Sequence, residues 1–271
     1  MSKTIARLVA SFASLVTTTL PRHRRLAVKA TAAEYLAQTV TVTTPRGNIL
    51  FYAPTRRALH TPWLFHTDEP DTLQWIDGFP DDAVLWDVGA NVGQFALYAA
   101  LRPGVRVVAF EPGAGSYAVL NRNIELNRLD DRVRAYCVAL SDTTCLSDLN
   151  MATTVAGSSM HAFDETVDAR EHKIEVIFRQ AAVGFSADDF LYRFAPPHPT
   201  HIKIDVDSIE ARIIRGAREV MGLPSVRSVW VEVMGAPDTP RNREIYAEMA
   251  RAGYVPQPRG ADARNTEFRR G

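Results

Sequence analysis

Leu85-Trp86-Asp87-Val88-Gly89-Ala90-Asn91-Val92-Gly93 is the stretch whose reading decides the fold. An apolar run over 83–88, short enough to be one buried strand, passes straight into a turn with two glycines, and 95–101 then takes helical spacing. Gly89 and Gly93 let the backbone turn sharply and approach a ligand with no Cβ in the way, while Asp87 sets an acceptor at the strand end. A strand, a glycine turn and a helix in this order open a βαβ unit, and in open α/β sheets ligands gather at the carboxyl ends of the strands.

Working outward, the same alternation repeats. Residues 105–110, 133–140, 201–206 and 226–233 read as further buried strands, and 117–127, 188–194, 210–221 and 243–252 as helices between them. The expected fold is α/β, a mostly parallel sheet with helices on both faces. The gap between Leu140 and His201 is too long for one connection. It predicts a small β-insertion before the fourth strand, with 174–178 pairing to 146–151 over the cofactor side of the sheet and Gly157-Ser158-Ser159 in a mobile connection. Upstream, 40–42 and 49–52 form a hairpin around a Pro- and Gly-containing turn, and Thr67-Asp68-Glu69-Pro70 caps a short helix carrying Leu73, Trp75, Ile76 and Phe79. The expected organisation is an extension over 1–66, a main domain over 67–258 and a polar tail over 259–271 that frays.

The turn at 89–93 lacks the third glycine of the dinucleotide pattern G-x-G-x-x-G, which sets a pyrophosphate on a helix N-terminus. An acid just before the turn suits a cationic, phosphate-free ligand better, and the sulfonium and amino groups of S-adenosylmethionine meet that description. Eighteen positions beyond Gly93, Glu111 ends the second strand, where a carboxylate can accept both ribose hydroxyls. Ser141-Asp142 after the third strand offers an acceptor for the adenine amino group. The cofactor-binding set is therefore Asp87, Gly89, Asn91, Gly93, Glu111 and Asp142.

Composition excludes other classes. The 271 residues are 46% hydrophobic and 23% charged, ordinary globular usage. Lys plus Arg equals Asp plus Glu at 31 each, so there is no net positive field for a polyanion and nucleic acid is not expected as a partner. Cys137 and Cys145 fit neither a metal-ligand spacing nor a disulfide framework; a reducing cytoplasm suits them, with Cys137 a small buried strand residue. Lys3 and Arg7 precede an apolar stretch, but Thr17, Thr18 and Thr19 interrupt it, and it falls short of the roughly 20 apolar residues that span a bilayer. Ile5, Leu8, Val9, Phe12 and Val16 instead give a helix over 3–20 an apolar stripe. That stripe suits packing on the main domain or peripheral contact with the inner face of a membrane.

DVGANVGQF at 87–95, FEP at 110–112, ALSD at 139–142, DDFL at 188–191, HIKIDVDSIE at 201–210, RGA at 215–217 and VWVEV at 229–233 together resemble the successive motifs of the FkbM family of methyltransferases. The resemblance spans about 69–255. It implies a Rossmann-like, seven-stranded class I methyltransferase sheet, S-adenosyl-L-methionine as cofactor, and methyl transfer to a hydroxyl of a glycan, polyketide or other small molecule. The family pattern IKIDVEGAE becomes IKIDVDSIE here; a positive φ at the missing glycine would strain Ser208 by about a kcal/mol.

Methyl transfer is an in-line displacement, so the chain must align an acceptor oxygen and help remove its proton. Asp205 or Glu210 is expected to position the acceptor or act as base, with Lys203 holding a carboxylate in place; structural ion pairing is the alternative. His172, His198 and His201 are further candidate bases. Asp205, Asp207 and Glu232 are conceivable oxygen ligands of a divalent metal, which spacing alone does not support. A non-catalytic binder of the same cofactor and a nicotinamide-dependent oxidoreductase stand as alternatives. No oligomeric state follows from the sequence.

Overall fold

The computed structural model describes residues 2–159, 161–167, 172–234, 238–258 and 264–271. It divides into two compact units, Met1–Thr39 and Val40–Gly271. The smaller holds α1 (Ser2–Val16) and α2 (Arg22–Leu36). The stripe Ile5, Leu8, Val9, Phe12 and Val16 is helical and exposed. α2, which buries none of its residues, carries no apolar stripe by which its sequence announces it. Among the described residues no helix is long and apolar enough to cross a membrane.

In the larger unit the elements follow as β1 (Gln38–Thr44), β2 (Gly47–Ala53), α3 (Arg56–Leu64), α4 (Pro70–Asp77), β3 (Val84–Val88), α5 (Gln94–Ala100), β4 (Arg106–Phe110), α6 (Ala114–Leu126) and β5 (Val133–Tyr136). The insertion supplies β6 (Ala139–Ser141), β7 (Cys145–Met151), β8 (His161–Phe163) and β9 (Phe178–Ser186). The chain closes with α7 (Ala187–Phe194), β10 (His201–Ile204), α8 (Glu210–Arg215), α9 (Arg218–Gly222), β11 (Ser228–Glu232), α10 (Pro240–Arg251), β12 (Tyr254–Pro256) and β13 (Asn265–Arg270). The boundary between the units falls within β1, and β2 lies wholly in the larger unit.

The main sheet has seven strands in the order β12-β13-β11-β10-β3-β4-β5, with β13 alone running against its neighbours. It is the mostly parallel sheet expected from the sequence. Side chains alternate across it. Val84, Trp86, Val88, Val108, Phe110, Ile202 and Ile204 join one core with Phe190 of α7 and Ile213 of α8. Leu85, Val107 and Ala109 face the other core with Ile76 of α4, Leu97 of α5 and Leu120 of α6. Rings of Trp86, Phe110 and Phe190 meet at 5.0 to 6.3 Å and tie α7 to the sheet. Chain order reverses at β3, which lies between β4 and β10; this is where an open α/β sheet parts its loops and makes room for a ligand.

Several expectations are corrected. The run 133–140 splits, because β4 ends at Phe110 opposite Tyr136 and gives later residues no ladder partner; Ala139–Ser141 pairs instead with β9 in a four-stranded insertion sheet, β6-β9-β7-β8. The strand partnering β7 is Phe178–Ser186, not 174–178; its half-exposed, Gly- and Ala-containing pattern hides it from a hydrophobic reading. The segment 210–221 breaks into α8 and α9 where Gly216 backs onto the Ser141 carbonyl so closely that no Cβ fits. Of the supposed fraying tail, 259–263 lies outside the described residues, and Asn265–Arg270 is β13, bonded on both sides and anchored by fully buried Phe268. Cys137, expected in the interior, is exposed just past β5.

Candidate active site

A cavity of about 440 Å³ opens at the carboxyl ends of β3, β4 and β10, walled by the 88–92 turn, Glu111, Asp205 and residues of α3 and the insertion. The turn owes its shape to three left-handed residues in five, Gly89 (φ 87°), Asn91 (φ 48°) and Gly93 (φ 94°). Gly89 is irreplaceable on a second ground: a Cβ there would overlap the Asp205 carbonyl oxygen. β10 therefore lies against the turn because residue 89 has no side chain. The Gly89 and Ala90 amides both donate to the Phe110 carbonyl at 3.0 Å, which locks the turn to the tip of β4.

Glu111 is the keystone of that tip. Its Oε2 accepts from the Asn91 amide at 2.8 Å and its Oε1 from the Gly113 amide at 2.7 Å, so the carboxyl group is held in one orientation. Burial pushes its pKa up to about 7; the Gly113 and Asn91 amides pull against that shift. Each oxygen retains capacity to accept a ligand hydroxyl.

Lys203 and Asp87 are register partners on adjacent parallel strands, so their side chains share a face. The Lys203 ammonium, 1% exposed, donates to Asp205 Oδ2 at 2.5 Å and stands 4.7 Å from the Phe95 ring centre. Its pKa rises despite burial because Asp205, Glu69 and Asp87 surround it. Asp87 is driven up to about 6, first by burial, with Lys203 opposing. Across the cavity Glu232 is pushed up to about 9 by burial and by Asp205, Glu210 and Asp207, with Arg241 opposing.

The structure thus brings Gly89, Asn91, Glu111, Lys203 and Asp205 to one cavity, and leaves others outside it. Asp87 is 1% exposed and stands behind the turn, toward Lys203, without lining the cavity. Asp142, read as an adenine acceptor, is held by Arg212 at 3.0 Å instead; burial opposes ionisation, but Arg212 wins and its pKa falls. Glu210 is sealed from solvent, 2.7 Å from Arg241, and does not line the cavity. His201 sits at the other end of β10, stacked on Phe79 at 4.0 Å, its pKa lowered to about 4 by burial and then Arg227 and Arg269. His198 and His172 are likewise not cavity residues, whereas His60 and His161 are. Ser208 escapes the expected strain, because Asp207 (φ 70°) takes the left-handed position. Among the described residues no three His, Cys, Asp or Glu side chains converge as a metal site.

Sequence reasoning missed Arg57, Glu69, Ser158 and Arg264 as cavity residues. Glu69 showed only as a helix-start acid; it accepts from Thr72 and Asn265 at 2.9 and 2.8 Å, and burial raises its pKa. Gly157-Ser158-Ser159, expected to be mobile, is tied to both α3 and α6: Thr55, the N-cap of α3, donates to the Ala156 carbonyl at 2.7 Å, and the Gly157 amide donates to Ser116 of α6 at 3.1 Å.

A sheet reversing at β3, a left-handed glycine turn there and an acid on the next strand tip are the marks of a Rossmann-like α/β fold with its ligand crevice at the switch point. The chain belongs to the FkbM methyltransferase family, whose model, described as the methyltransferase FkbM domain, matches residues 87–256. It is 29% identical over 175 residues to the 31-O-demethyl-FK506 methyltransferase FkbM of Streptomyces tacrolimicus, covering 61% of this chain and 65% of that protein. It is 25% identical over 158 residues to the hexuronic acid methyltransferase AglP of Haloferax volcanii, covering 58% and 59%. The crystal structure of methyltransferase FkbM from Methylobacillus flagellatus KT aligns at 14% identity with a TM-score of 0.47, over 79% of this chain and 55% of that one. The chain spans less than two thirds of the length of each of these relatives.

Proposed function

We propose that this chain transfers the methyl group of S-adenosyl-L-methionine to a hydroxyl of a small-molecule or glycan acceptor. The observation that carries the reading is Glu111, clamped by two backbone amides at the rim of the cavity beside a left-handed glycine turn, as a ribose-binding acid requires. Charge supports it. Among the described residues, acidic side chains (Asp68, Glu69, Glu111, Asp205, Asp207 and Glu232) outnumber basic ones (Arg57, Lys203 and Arg264) along the cavity, a setting that favours a sulfonium and an ammonium over a pyrophosphate. The relatives' names, with a demethyl-FK506 and a hexuronic acid as substrates, fit a hydroxylated acceptor.

When bound, the cofactor supplies an electrophilic methyl group on sulfur. Asp205, fixed by Lys203, is the carboxylate we assign to orienting the acceptor hydroxyl and receiving its proton. Glu232, its pKa raised by burial and by Asp205, Glu210 and Asp207 and its Oε2 accepting from Arg241 at 3.4 Å, is left out of the base role. Glu210 is left to structural pairing with Arg241. The test is transfer of labelled methyl from the cofactor to pools of glycans, lipids and secondary metabolites, with Asp205→Asn as control; a cofactor that binds but labels no pool would favour the non-catalytic reading. The exposed stripe of α1 carries the proposed peripheral membrane contact, which liposome flotation tests.

Two binding predictions follow from Glu111. Glu111→Ala is expected to weaken S-adenosylhomocysteine binding by about 1–3 kcal/mol in calorimetry, since charge-assisted hydrogen bonds are lost; unchanged affinity would remove the ribose assignment. Because its pKa is near 7, Glu111 loses its proton as pH rises from 6 to 8, and affinity is expected to increase over that interval. Glu111→Gln should flatten the profile, and an equal slope in that variant would assign the effect elsewhere.

A further inference from the structure

Resting on the cofactor reading above, we propose that Arg57 and Ser158 form a carboxylate-holding site at the α3 side of the cavity. The argument begins with charge. Of the cavity's three cations, Lys203 is committed to Asp205 at 2.5 Å and Arg264 to Asp68 at 2.6 Å. Arg57 lines the same cavity, and no ion pair engages it among the described residues. In a space where acidic side chains outnumber basic ones, an anion is held best beside an uncommitted cation, and a guanidinium is the side chain that grips a carboxylate through two parallel bonds.

Ser158 is an independent observation pointing to the same place. It is 6% exposed, lines the cavity, and its Oγ has no hydrogen-bond partner among the described residues. A desolvated hydroxyl is a standing cost that a ligand oxygen removes. The two residues are held together by construction. Gly157, left-handed at φ 83°, lies so near the first turn of α3 that an added Cβ would stand 2.6 Å from the Ala58 nitrogen and 2.9 Å from the Arg57 carbonyl carbon. Thr55 ties that turn to the Ala156 carbonyl. The insertion loop therefore delivers a hydroxyl beside the start of α3, and Arg57 lies outside the residues 87–256 that the family model matches.

The carboxylate has two possible sources, the amino-acid end of the cofactor or an acidic group on the acceptor, and calorimetry distinguishes them. Three probes are titrated into wild type and Arg57→Gln: S-adenosylhomocysteine, its decarboxylated analogue S-adenosyl-3-thiopropylamine, and D-glucuronate added to protein saturated with S-adenosylhomocysteine. If the cofactor fills the site, Arg57→Gln weakens S-adenosylhomocysteine on the order of tenfold or more and leaves the decarboxylated analogue unchanged. Ser158→Ala should weaken it less, in the same direction. If the acceptor fills the site, S-adenosylhomocysteine binds both proteins alike and glucuronate binds only wild type. Equal behaviour of the two proteins toward all three probes overturns the proposal. Failure of wild type to bind 5′-methylthioadenosine, which has no carboxylate, would instead overturn the cofactor reading.

Discussion

Replacing Lys203 with Met is expected to cost about 3–5 kcal/mol of stability at pH 7.5, because it leaves buried carboxylates around a missing cation. The ammonium is 1% exposed, 2.5 Å from Asp205 and flanked by Asp87 and Glu69, whose pKa values are already raised by burial and are held down by Lys203. Without it those pKa values climb further. A carboxylate whose folded-state pKa lies above its unfolded value favours the folded state most at low pH, and that advantage is lost as pH rises toward the folded pKa. For Asp87 the window runs from near 4 to about 6 in wild type and extends higher in the variant. The deficit of Lys203→Met should therefore shrink between pH 7.5 and pH 5, measured by urea unfolding at both. A loss below about 1 kcal/mol at pH 7.5, or one that grows on acidification, would show that the charges are solvated and the trio is not coupled.

Gly89→Ala is the second large effect, expected to destabilise by about 2–4 kcal/mol, roughly 1 from the left-handed backbone and the rest from overpacking against β10. The added Cβ would overlap the Asp205 carbonyl oxygen and stand 2.8 Å from its carbonyl carbon, and backbone yields less readily than a side-chain tip. Gly253 is the control. It is equally left-handed at φ 83° but has nothing among the described residues within 4 Å of its Cβ position, so Gly253→Ala should cost only the conformational part. Because the displaced atoms belong to Asp205, Gly89→Ala should also reduce whatever transfer activity survives, whereas Gly253→Ala should spare it. Equal losses in the two variants would mean that the contact between turn and β10 relaxes freely.

The insertion sheet explains why some residues resisted a reading by pattern. β9 is half-exposed and runs through Gln180, Ala181, Ala182, Val183 and Gly184, so it presents neither a continuous apolar run nor clean alternation. β13 is similar: Asn265 and Thr266 are buried, yet by residue type they belong on a surface. They are inside because β11 pairs directly with both of them and Asn265 donates to Glu69 at 2.8 Å.

What local sequence determined is the part governed by short-range physics. The apolar run into Gly89 and Gly93 dictates a strand, a left-handed turn and a helix; repeated apolar runs of strand length separated by amphipathic segments dictate a parallel α/β sheet; and Glu111 at the end of the second strand must reach the same edge as the turn. Tertiary structure decided which acids face the ligand space. Asp142 and Asp205 both follow strands in the sequence, but Arg212 takes the first, while Lys203, on the strand that the second follows, holds Asp205 at the cavity wall. Arg57, Glu69, Ser158 and Arg264 come together from four separate segments, and no periodicity records such a meeting. The reason is that burial and charge pairing depend on which long-range partner arrives, and only the packed chain chooses among them.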